Sequence, residues 1–217
     1  MEEVVVTAQK RKENLADVPI SIQAFSSDSL EARGVNSTAD LPRITPGLTV
    51  TTQINFTATF LRGIGSDAWL LGDPSVVTYT DGVYNPFAIG QTSDFGDIER
   101  VEILKGPQGT LFGRNAIGGA LNIITAEPSF EEVYLSAQGE YASFNKQKFS
   151  LSINAPVGSR FAINLAGFYS EADDHRDGRI NGSPLPREEL KSGRIKALWQ
   201  VADNFELGLN VTRLDQN

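Results

Sequence analysis

Residues 97–125 read DIERVEILKGPQGTLFGRNAIGGALNIIT, and this stretch decides how the rest of the sequence is interpreted. It begins with a β-rich run in which apolar and charged residues are mixed. That run stops at Gly106-Pro107, and a second β-rich run, 120–125, follows the pair Gly118-Gly119. Glycine accepts positive φ and close backbone approach, whereas proline fixes φ and removes a hydrogen-bond donor. The stretch therefore predicts two strands joined by a sharply bent loop.

A glycine-rich turn beside a lysine also suggests a phosphate-binding loop. Such a loop needs the order G-x-x-x-x-G-K-(S/T) ahead of a helix. Here Lys105 precedes the glycines, and no serine or threonine follows it in that order. A structural strand-loop-strand is therefore the better interpretation.

Composition excludes several classes of protein. The chain has 217 residues, no cysteine, one histidine and a formal net charge of -8. This length suits one or two domains, and the lack of cysteine excludes a disulfide framework or a thiolate metal site. An acidic chain is poorly suited to nonspecific nucleic-acid binding. The sequence has neither a run of about 18 apolar residues nor a basic-plus-apolar leader, so a signal peptide would lie outside it.

The N-terminus, residues 1–12, reads MEEVVVTAQKRK. A polar start, a short β-branched run and a charged run predict an extended segment without a partner strand nearby in the sequence. A frayed terminus or an edge strand is the simplest interpretation of these residues alone.

Short strands and short helices are mixed between residues 18 and 125. Asp28 with Glu31 predicts a capping box, and Gly34 predicts the end of a helix over 28–33. A second short helix is expected over 38–41, ended by Pro42. Strands are expected at 20–24, 48–53, 59–63 and 76–80, the last followed by the turn signal Asp81-Gly82.

A different pattern begins after Glu127-Pro128. Five stretches of about ten residues alternate between apolar and polar side chains, which is the signature of a transmembrane β-barrel. A soluble antiparallel sandwich shows the same alternation. The long polar connection 173–190 after the third stretch, between otherwise short turns, favours the barrel. The predicted strands are 132–142, 147–156, 160–171, 192–202 and 204–214, with Tyr141, Tyr169 and Trp199 as candidates for interfacial aromatic belts.

The stretch 97–125 resembles the end of the plug domain of TonB-dependent outer-membrane receptors. The shared pattern is V-E-(I/V)-L-K-G-P-x-x-x-L-(F/Y)-G-x-x-x-x-G-G-x-x-N-I-x-T. Residues 60–65 (FLRGIG) and 77–84 (VTYTDGVY) resemble two further plug motifs, in the right order. The motif residues assigned in this way are Lys105, Gly106, Pro107, Gly113, Gly118, Gly119 and Asn122.

The resemblance also implies roles for two other sets of residues. Glu3, Val4, Val5, Val6, Thr7 and Ala8 resemble the TonB box, a segment that binds TonB by strand addition. In the family, arginines at the positions of Arg62 and Arg114 pair with barrel-wall glutamates and lock the plug in place. Their planar guanidinium groups suit bidentate carboxylate binding. The alternative is an exposed pair that contributes at most about 1 kcal/mol.

Together these features predict an α+β plug followed by antiparallel strands of an incomplete β-barrel. The expected domains are the TonB box and linker at 1–12, the plug at 13–128 and the first barrel strands at 129–217. Plugged transporters have about 22 strands, so an N-terminal fragment is expected.

The resemblance implies an outer-membrane receptor, surrounded by lipid, for TonB-coupled uptake of a scarce bulky ligand, with a ferric siderophore or related iron complex as the expected ligand. TonB would act with its inner-membrane energising complex. The alternative is a soluble periplasmic module that binds partners by strand addition.

No enzyme, cofactor or metal site is predicted. His175 is the only histidine and lies in a polar loop, whereas metal sites need clustered ligands. The acidic pairs Glu131-Glu132 and Glu188-Glu189 are sequence neighbours, which suits a solvated surface better than acid-base catalysis. No G-x-S-x-G sequence is present.

Overall fold

The computed structural model describes residues 5–7, 11, 13–53, 56–66, 73–85, 97–143, 145–172, 179–180, 183–184 and 188–216. The chain divides into two compact units, Met1–Thr125 and Ala126–Asn217. Within the described residues, no helix is long and apolar enough to cross a membrane.

The first unit combines short strands with short helices. Its strands are β1 Val5–Val6, β2 Glu13–Asn14, β3 Ile22–Ser26, β4 Leu48–Gln53, β5 Phe56–Leu61, β6 Ile64–Gly65, β7 Val76–Thr80, β8 Val83–Asn85, β9 Ile98–Lys105 and β10 Gly119–Thr125. Its α-helices are α1 Ser27–Ala32 and α2 Gly109–Phe112, and two 3-10 helices cover Leu15–Asp17 and Thr38–Arg43.

A five-stranded sheet with the order β3-β9-β10-β7-β8 forms the centre of this unit. β10 pairs antiparallel with β9 and parallel with β7. Both faces of β9 are covered, because Val101 and Ile103 enter one apolar cluster while Leu104 enters a second. A strand covered on both faces has buried residues in succession rather than alternation, as the run 101–104 shows.

The first helix agrees with the prediction in extent but not in its cap. Ser26, not Asp28, is the N-cap, and its Oγ accepts a hydrogen bond from the backbone N–H of Ser29 at 3.4 Å. The predicted helix end is confirmed. Gly34 has φ +63, and the N–H of Val35 donates back to the carbonyl of Leu30, which closes a Schellman-type turn.

Two other predicted boundaries were wrong. The strand expected over 59–63 ends at Leu61, because Arg62 and Gly63 both have positive φ and form a tight turn into β6. The helix expected over 38–41 is a 3-10 helix that continues to Arg43, with Pro42 inside it.

The N-terminal segment has a partner strand, contrary to the expectation from sequence. β1 pairs antiparallel with β2, with Val5 opposite Asn14 and Val6 opposite Glu13. β1 is therefore a paired strand rather than an unpaired end. Residues 1–4 and 8–10 lie outside the described residues, so this finding concerns only part of the predicted TonB box.

The second unit is a sheet of long antiparallel strands. The strands are β11 Tyr134–Ala142, β12 Lys146–Pro156, β13 Phe161–Ala172, β16 Glu188–Ala202 and β17 Phe205–Gln216, and they pair in that order. A small hairpin, β14 Arg179–Ile180 with β15 Ser183–Pro184, lies between β13 and β16. All five predicted strands are confirmed, although β16 begins at Glu188 and the connection before it is shorter than expected. Among the described residues, β11 and β17 each pair on one side only, so the sheet is open.

Side chains at paired positions form rows across all five strands. One row is apolar throughout: Leu135, Ile153, Leu165, Ile195 and Val211. The adjacent row, on the opposite face, is polar throughout: Tyr134, Asn154, Asn164, Lys196 and Asn210. The register therefore separates apolar from polar side chains completely along these two rows.

Burial is the reverse of what a water-soluble sheet requires. The apolar row is exposed except for the half-buried Ile153, with 43% exposure at Leu165 and 50% at Ile195. The three central positions of the polar row are buried, with 0% exposure at Asn154 and Asn164 and 2% at Lys196, whereas Tyr134 is half-buried and Asn210, on the edge strand, is exposed. A soluble sandwich would place the apolar row in its core. This sheet presents its apolar face outward, which is how a barrel strand meets lipid.

The predicted aromatic residues lie toward opposite ends of the sheet. Trp199 stands opposite Phe161 and Leu207, close to the turns at 157–160 and 203–204. Tyr141 stands opposite Gln147 at the other end. Their positions suit two membrane interfaces, and that role stays a prediction.

We expect residues 1–128 to be soluble alone, whereas the 217-residue chain needs detergent. The first unit covers both faces of its sheet, while the second exposes apolar rows and two strand edges. Size-exclusion chromatography of the two proteins in plain buffer and in detergent is the measurement. A monodisperse 217-residue monomer in plain buffer would contradict the membrane assignment of the second unit.

Candidate functional site

The predicted plug motif forms a closed loop between β9 and β10. The N–H of Gly106 donates to the carbonyl of Gly118 at 3.0 Å, and the N–H of Gln108 donates to the carbonyl of Ala116 at 2.8 Å. Positive φ values at Gly106, +97, and at Gly113, +74, make the bends on either side of α2. The loop that the glycines and proline predicted is therefore held by its own backbone.

α2 is fixed to the sheet through an aromatic contact. The Tyr79 hydroxyl donates to the carbonyl of Phe112 at 2.5 Å, and the two rings meet edge to face with their centroids 5.2 Å apart. Burial raises the pKa of the Tyr79 hydroxyl, and the neighbouring Tyr84 raises it further. Tyr79 therefore stays a neutral donor at physiological pH, and the loop stays attached to β7.

The paired glycines of the motif are required by close packing. A Cβ at Gly119 would lie 2.3 Å from the carbonyl oxygen of Leu104 and 2.7 Å from the side chain of Leu61. At Gly118 a Cβ would lie 3.0 Å from Ile64 and from Val76. Gly119 also has φ +147, which other residues rarely adopt.

The turn after β7 is tied to the end of β10. Asp81 accepts from the N–H of Thr125 at 2.9 Å and from its hydroxyl at 2.6 Å. The backbone N–H of Asp81 donates to the carbonyl of Ile123. The Asp-Gly turn therefore closes the sheet where the first unit ends.

The N-terminal segment lies against the plug sheet through Val6 and Thr7. Val6 is fully buried in the second apolar cluster, which also contains Val77, Leu104 and Phe112. Thr7 donates twice to the Glu102 carboxylate, from its backbone N–H at 2.7 Å and from its hydroxyl at 3.1 Å. The described part of the predicted TonB box is thus packed on the plug.

Glu102 is the centre of a small polar network inside the plug. Its carboxylate is fully buried and accepts from Arg100 Nε at 2.8 Å and from Asn122 Nδ2 at 3.2 Å. Arg100 also forms an ion pair with Glu99 at the surface side. A buried carboxylate is tolerated only when its oxygens are hydrogen-bonded, and four donors meet that need here. Asn122, assigned to the motif from sequence, is one of them.

Arg62 and Lys105 are two neighbouring cations of the first unit. Arg62 donates to the Ser21 hydroxyl at 2.8 Å, and Lys105 Nζ donates to the carbonyl of Pro46 at 3.2 Å. Partial burial lowers the pKa of Lys105, and the nearby Arg62 guanidinium lowers it further. Arg114 is exposed in the loop between α2 and β10. The Arg62–Lys105 pair is thus a concentration of positive charge suited to an acidic partner.

The segment that follows β10 is fastened to the polar face of the second unit. Asn154 accepts from the N–H of Ser129 at 2.9 Å and donates to the carbonyls of Ser129 and Glu132, at 3.0 and 2.6 Å. Lys196 pairs with Glu127 at 2.7 Å. These contacts hold residues 127–132 on the polar face of the sheet.

Neither a metal centre nor a catalytic arrangement emerges from the residues that the structure describes. No group of three or more His, Cys, Asp and Glu residues is placed to hold a metal ion there. His175, weighed as a possible ligand, lies outside those residues.

These features define a class of protein: a small α+β domain with an N-terminal strand segment, joined to a sheet whose apolar side faces outward. The family model of the TonB-dependent receptor plug domain matches residues 14–120. The chain belongs to the TonB-dependent receptors, as their plug domain followed by strands of the β-barrel, and it is an outer-membrane protein.

Relatives and solved structures agree with this assignment. The pesticin receptor of Yersinia pestis is 35% identical over 175 residues, which are 79% of this chain and 25% of the relative. The iron-regulated outer membrane virulence protein of Vibrio cholerae is 30% identical, over 96% of this chain and 33% of the relative. The ferric yersiniabactin uptake receptor FyuA from Yersinia pestis superposes with a TM-score of 0.80 and 27% identity, over 90% of this chain and 31% of that one. The chain thus spans about a quarter to a third of the length of these proteins.

The roles of two residues in the site, Glu102 and Asn154, could not be recognised from the sequence. Glu102 was treated only as part of a motif, although a charged residue inside the run Val101–Leu104 signals a buried carboxylate that needs partners. Asn154 was treated as an ordinary polar position of a strand. Its role depends on a segment more than twenty residues away, which local patterns do not reveal.

Gly119→Ala should destabilise the plug by about 1–3 kcal/mol, because the added methyl group meets a backbone carbonyl that cannot move aside. Gly109→Ala is the matched control, since its Cβ meets nothing within 4 Å and alanine favours the helix α2. Urea unfolding of residues 1–128, followed by circular dichroism, measures both. Equal stability of the two variants would contradict the packing described for Gly119.

Proposed function

We propose that this chain is part of a receptor that carries a scarce, bulky ligand through the outer membrane, with energy supplied by TonB. The single observation that carries the proposal is the TonB-dependent receptor plug joined to a sheet with an outward apolar face. The proposed division is a TonB box and linker at 1–12, a plug at 13–128 and barrel strands at 129–217. The protein acts by binding and transport rather than as an enzyme.

The proposed ligand class is a ferric siderophore or a related iron complex. The names of two relatives support this class, because one is an iron-regulated outer membrane protein and another is a ferric yersiniabactin uptake receptor. A receptor-deletion strain grown on defined iron sources tests the assignment. Loss of growth on one ferric siderophore, restored by the full-length gene, is the expected result.

The proposed mechanism uses the N-terminal segment as the point where force is applied. Ligand binds at the outer side of the plug and barrel, and the TonB box becomes available in the periplasm. TonB adds to it as a strand, so backbone hydrogen bonds supply affinity. Tension on the box then rearranges the plug and opens a path. The short β1–β2 pairing suits this role, since among the described residues it involves the two residue pairs Val5–Asn14 and Val6–Glu13.

Val5→Pro should abolish transport by the full-length receptor while ligand binding stays intact. Proline removes the backbone donor of residue 5 and opposes strand pairing with TonB. Val5→Ala keeps the donor and should transport normally. Uptake and binding of a radiolabelled ferric siderophore are the two measurements. A parallel loss of binding and uptake in Val5→Pro would indicate misfolding and count against the box assignment.

We propose further that Arg62 and Arg114 lock the plug to acidic residues of the barrel wall. The exposed Arg62 guanidinium near Lys105 supports this role, because an added carboxylate would offset the repulsion between these two cations. The partner carboxylates are expected in barrel strands beyond residue 217. Arginine is suited to such a lock by its bidentate geometry.

Arg62→Gln should speed chymotrypsin cleavage of the plug in the full-length receptor by about tenfold, since a charge-assisted hydrogen bond contributes about 1.5–3 kcal/mol. Arg43→Gln is the control, because Arg43 is exposed and its ion pair, with Asp40 at 3.0 Å, lies within the plug. The same cleavage rate in both variants would contradict the proposed pairing of Arg62 with the barrel wall.

A further inference from the structure

Two of the four described hydrogen-bond donors to the buried Glu102 carboxylate belong to the N-terminal segment. Arg100 and Asn122 belong to the sheet, from β9 itself and from the facing position of β10. The other two donors are the N–H and the hydroxyl of Thr7, which is 95 residues away in the chain. A fully buried charge therefore depends on a segment whose described residues pair with β2 at Val5 and Val6.

Thr7 is bound by more than the carboxylate. Its hydroxyl oxygen also accepts from Arg100 Nη2 at 3.3 Å and from Asn122 Nδ2 at 3.4 Å. All three side chains that surround Glu102 are thus connected to one another through this hydroxyl. The arrangement is a polar socket, formed by Glu102, Arg100 and Asn122, with Thr7 seated in it.

The neighbouring residue, Val6, provides the apolar half of the attachment. It is fully buried and packs in the cluster with Leu104, Phe112 and Ala120. One apolar and one polar side chain in succession therefore fix the segment in a single register on the plug. A shift by one residue in one direction would place Val6 against the carboxylate, and a shift in the other direction would place Thr7 in the apolar cluster.

Residues 5–7 use the same backbone groups when they are bound to the plug as they would use to pair with a partner strand. Strand addition takes the backbone N–H and carbonyl groups of the segment. In this structure the N–H of Thr7 is taken by Glu102, and Val5 and Val6 pair with β2. A partner strand can engage residues 5–7 fully only after Thr7 has left the socket.

We propose that Glu102 is a positioning residue that latches residues 5–7 onto the plug and sets how readily they are released to a partner. The consequence for TonB coupling rests on the proposed function. Withdrawal of Thr7 removes two donors from a buried carboxylate, and this cost opposes release. Residues 5–7 therefore stay bound to the plug until ligand binding or entry of water compensates Glu102 for the two lost donors.

The test measures opening of the segment directly. Because the chain has no cysteine, Val6→Cys gives a single thiol that reacts with a maleimide only when residue 6 leaves its pocket. Val35→Cys, buried in the first apolar cluster, reports unfolding of the plug itself. Both reporters are placed in the 217-residue chain in detergent, with and without Glu102→Gln.

Glu102→Gln should raise the labelling rate at Val6→Cys by at least about tenfold, because neutral hydrogen bonds replace charge-assisted ones. Labelling at Val35→Cys should stay unchanged. Thr7→Val, which keeps the Glu102–Arg100–Asn122 contacts, should raise Val6→Cys labelling about fivefold and provides the test if Glu102→Gln does not fold. Unchanged labelling at Val6→Cys, or an equal rise at both reporters, would overturn the latch.

Binding of the periplasmic domain of TonB separates this inference from the proposed function. Glu102→Gln without the reporters should bind that domain more tightly than the parent chain. Faster Val6→Cys labelling with no TonB binding by any variant would support the latch and contradict TonB coupling. TonB binding of equal strength in all variants, with unchanged labelling, would overturn the latch and leave TonB coupling standing.

Discussion

The antiparallel pairing of β9 with β10 is the interaction on which the rest of the plug depends. Its register places Ile103 opposite Leu121 in one core cluster and Leu104 opposite Ala120 in the other. The same register sets Asn122 opposite Glu102, which completes the polar socket for Thr7. It also brings Gly119 against the carbonyl of Leu104, where no side chain fits. Core, socket and motif loop are therefore consequences of one alignment of two strands.

Much of this fold could be predicted from the sequence because its strands carry strong local signals. Five alternating stretches predicted the five long strands, since a period of two residues directly reflects the two faces of a sheet. The long pattern of 97–125 predicted both the loop and its glycines. Helix ends were predicted where one residue decides them, as at Gly34. The boundary that failed at Arg62 involves a residue that adopts positive φ without being glycine, and the one at Pro42 failed because proline lies inside a 3-10 helix there.

The parts that could not be predicted depend on contacts between distant residues. Nothing near Thr7 indicates that it meets a carboxylate 95 residues later. The β1–β2 pairing was missed because the charged residues between the strands are typical of a tail as well as of a connection. The sequence favoured a lipid-facing barrel sheet, but its alternation alone also fits a soluble sandwich. Burial decided it, since Asn164 and Lys196 are enclosed while Leu165 and Ile195 are exposed.

The two continuous rows of the second sheet limit how its strands can change in length during evolution. An insertion of one residue within a strand turns every side chain beyond it to the other face, so Leu165 or Ile195 would exchange places with polar neighbours. An insertion of two residues preserves both rows. An odd residue disturbs the rows least where few pairs follow it, and β16 has such an irregularity at 200–202, beside the turn into β17. The two rows therefore constrain whether the number of inserted residues is even or odd more strongly than they constrain strand length.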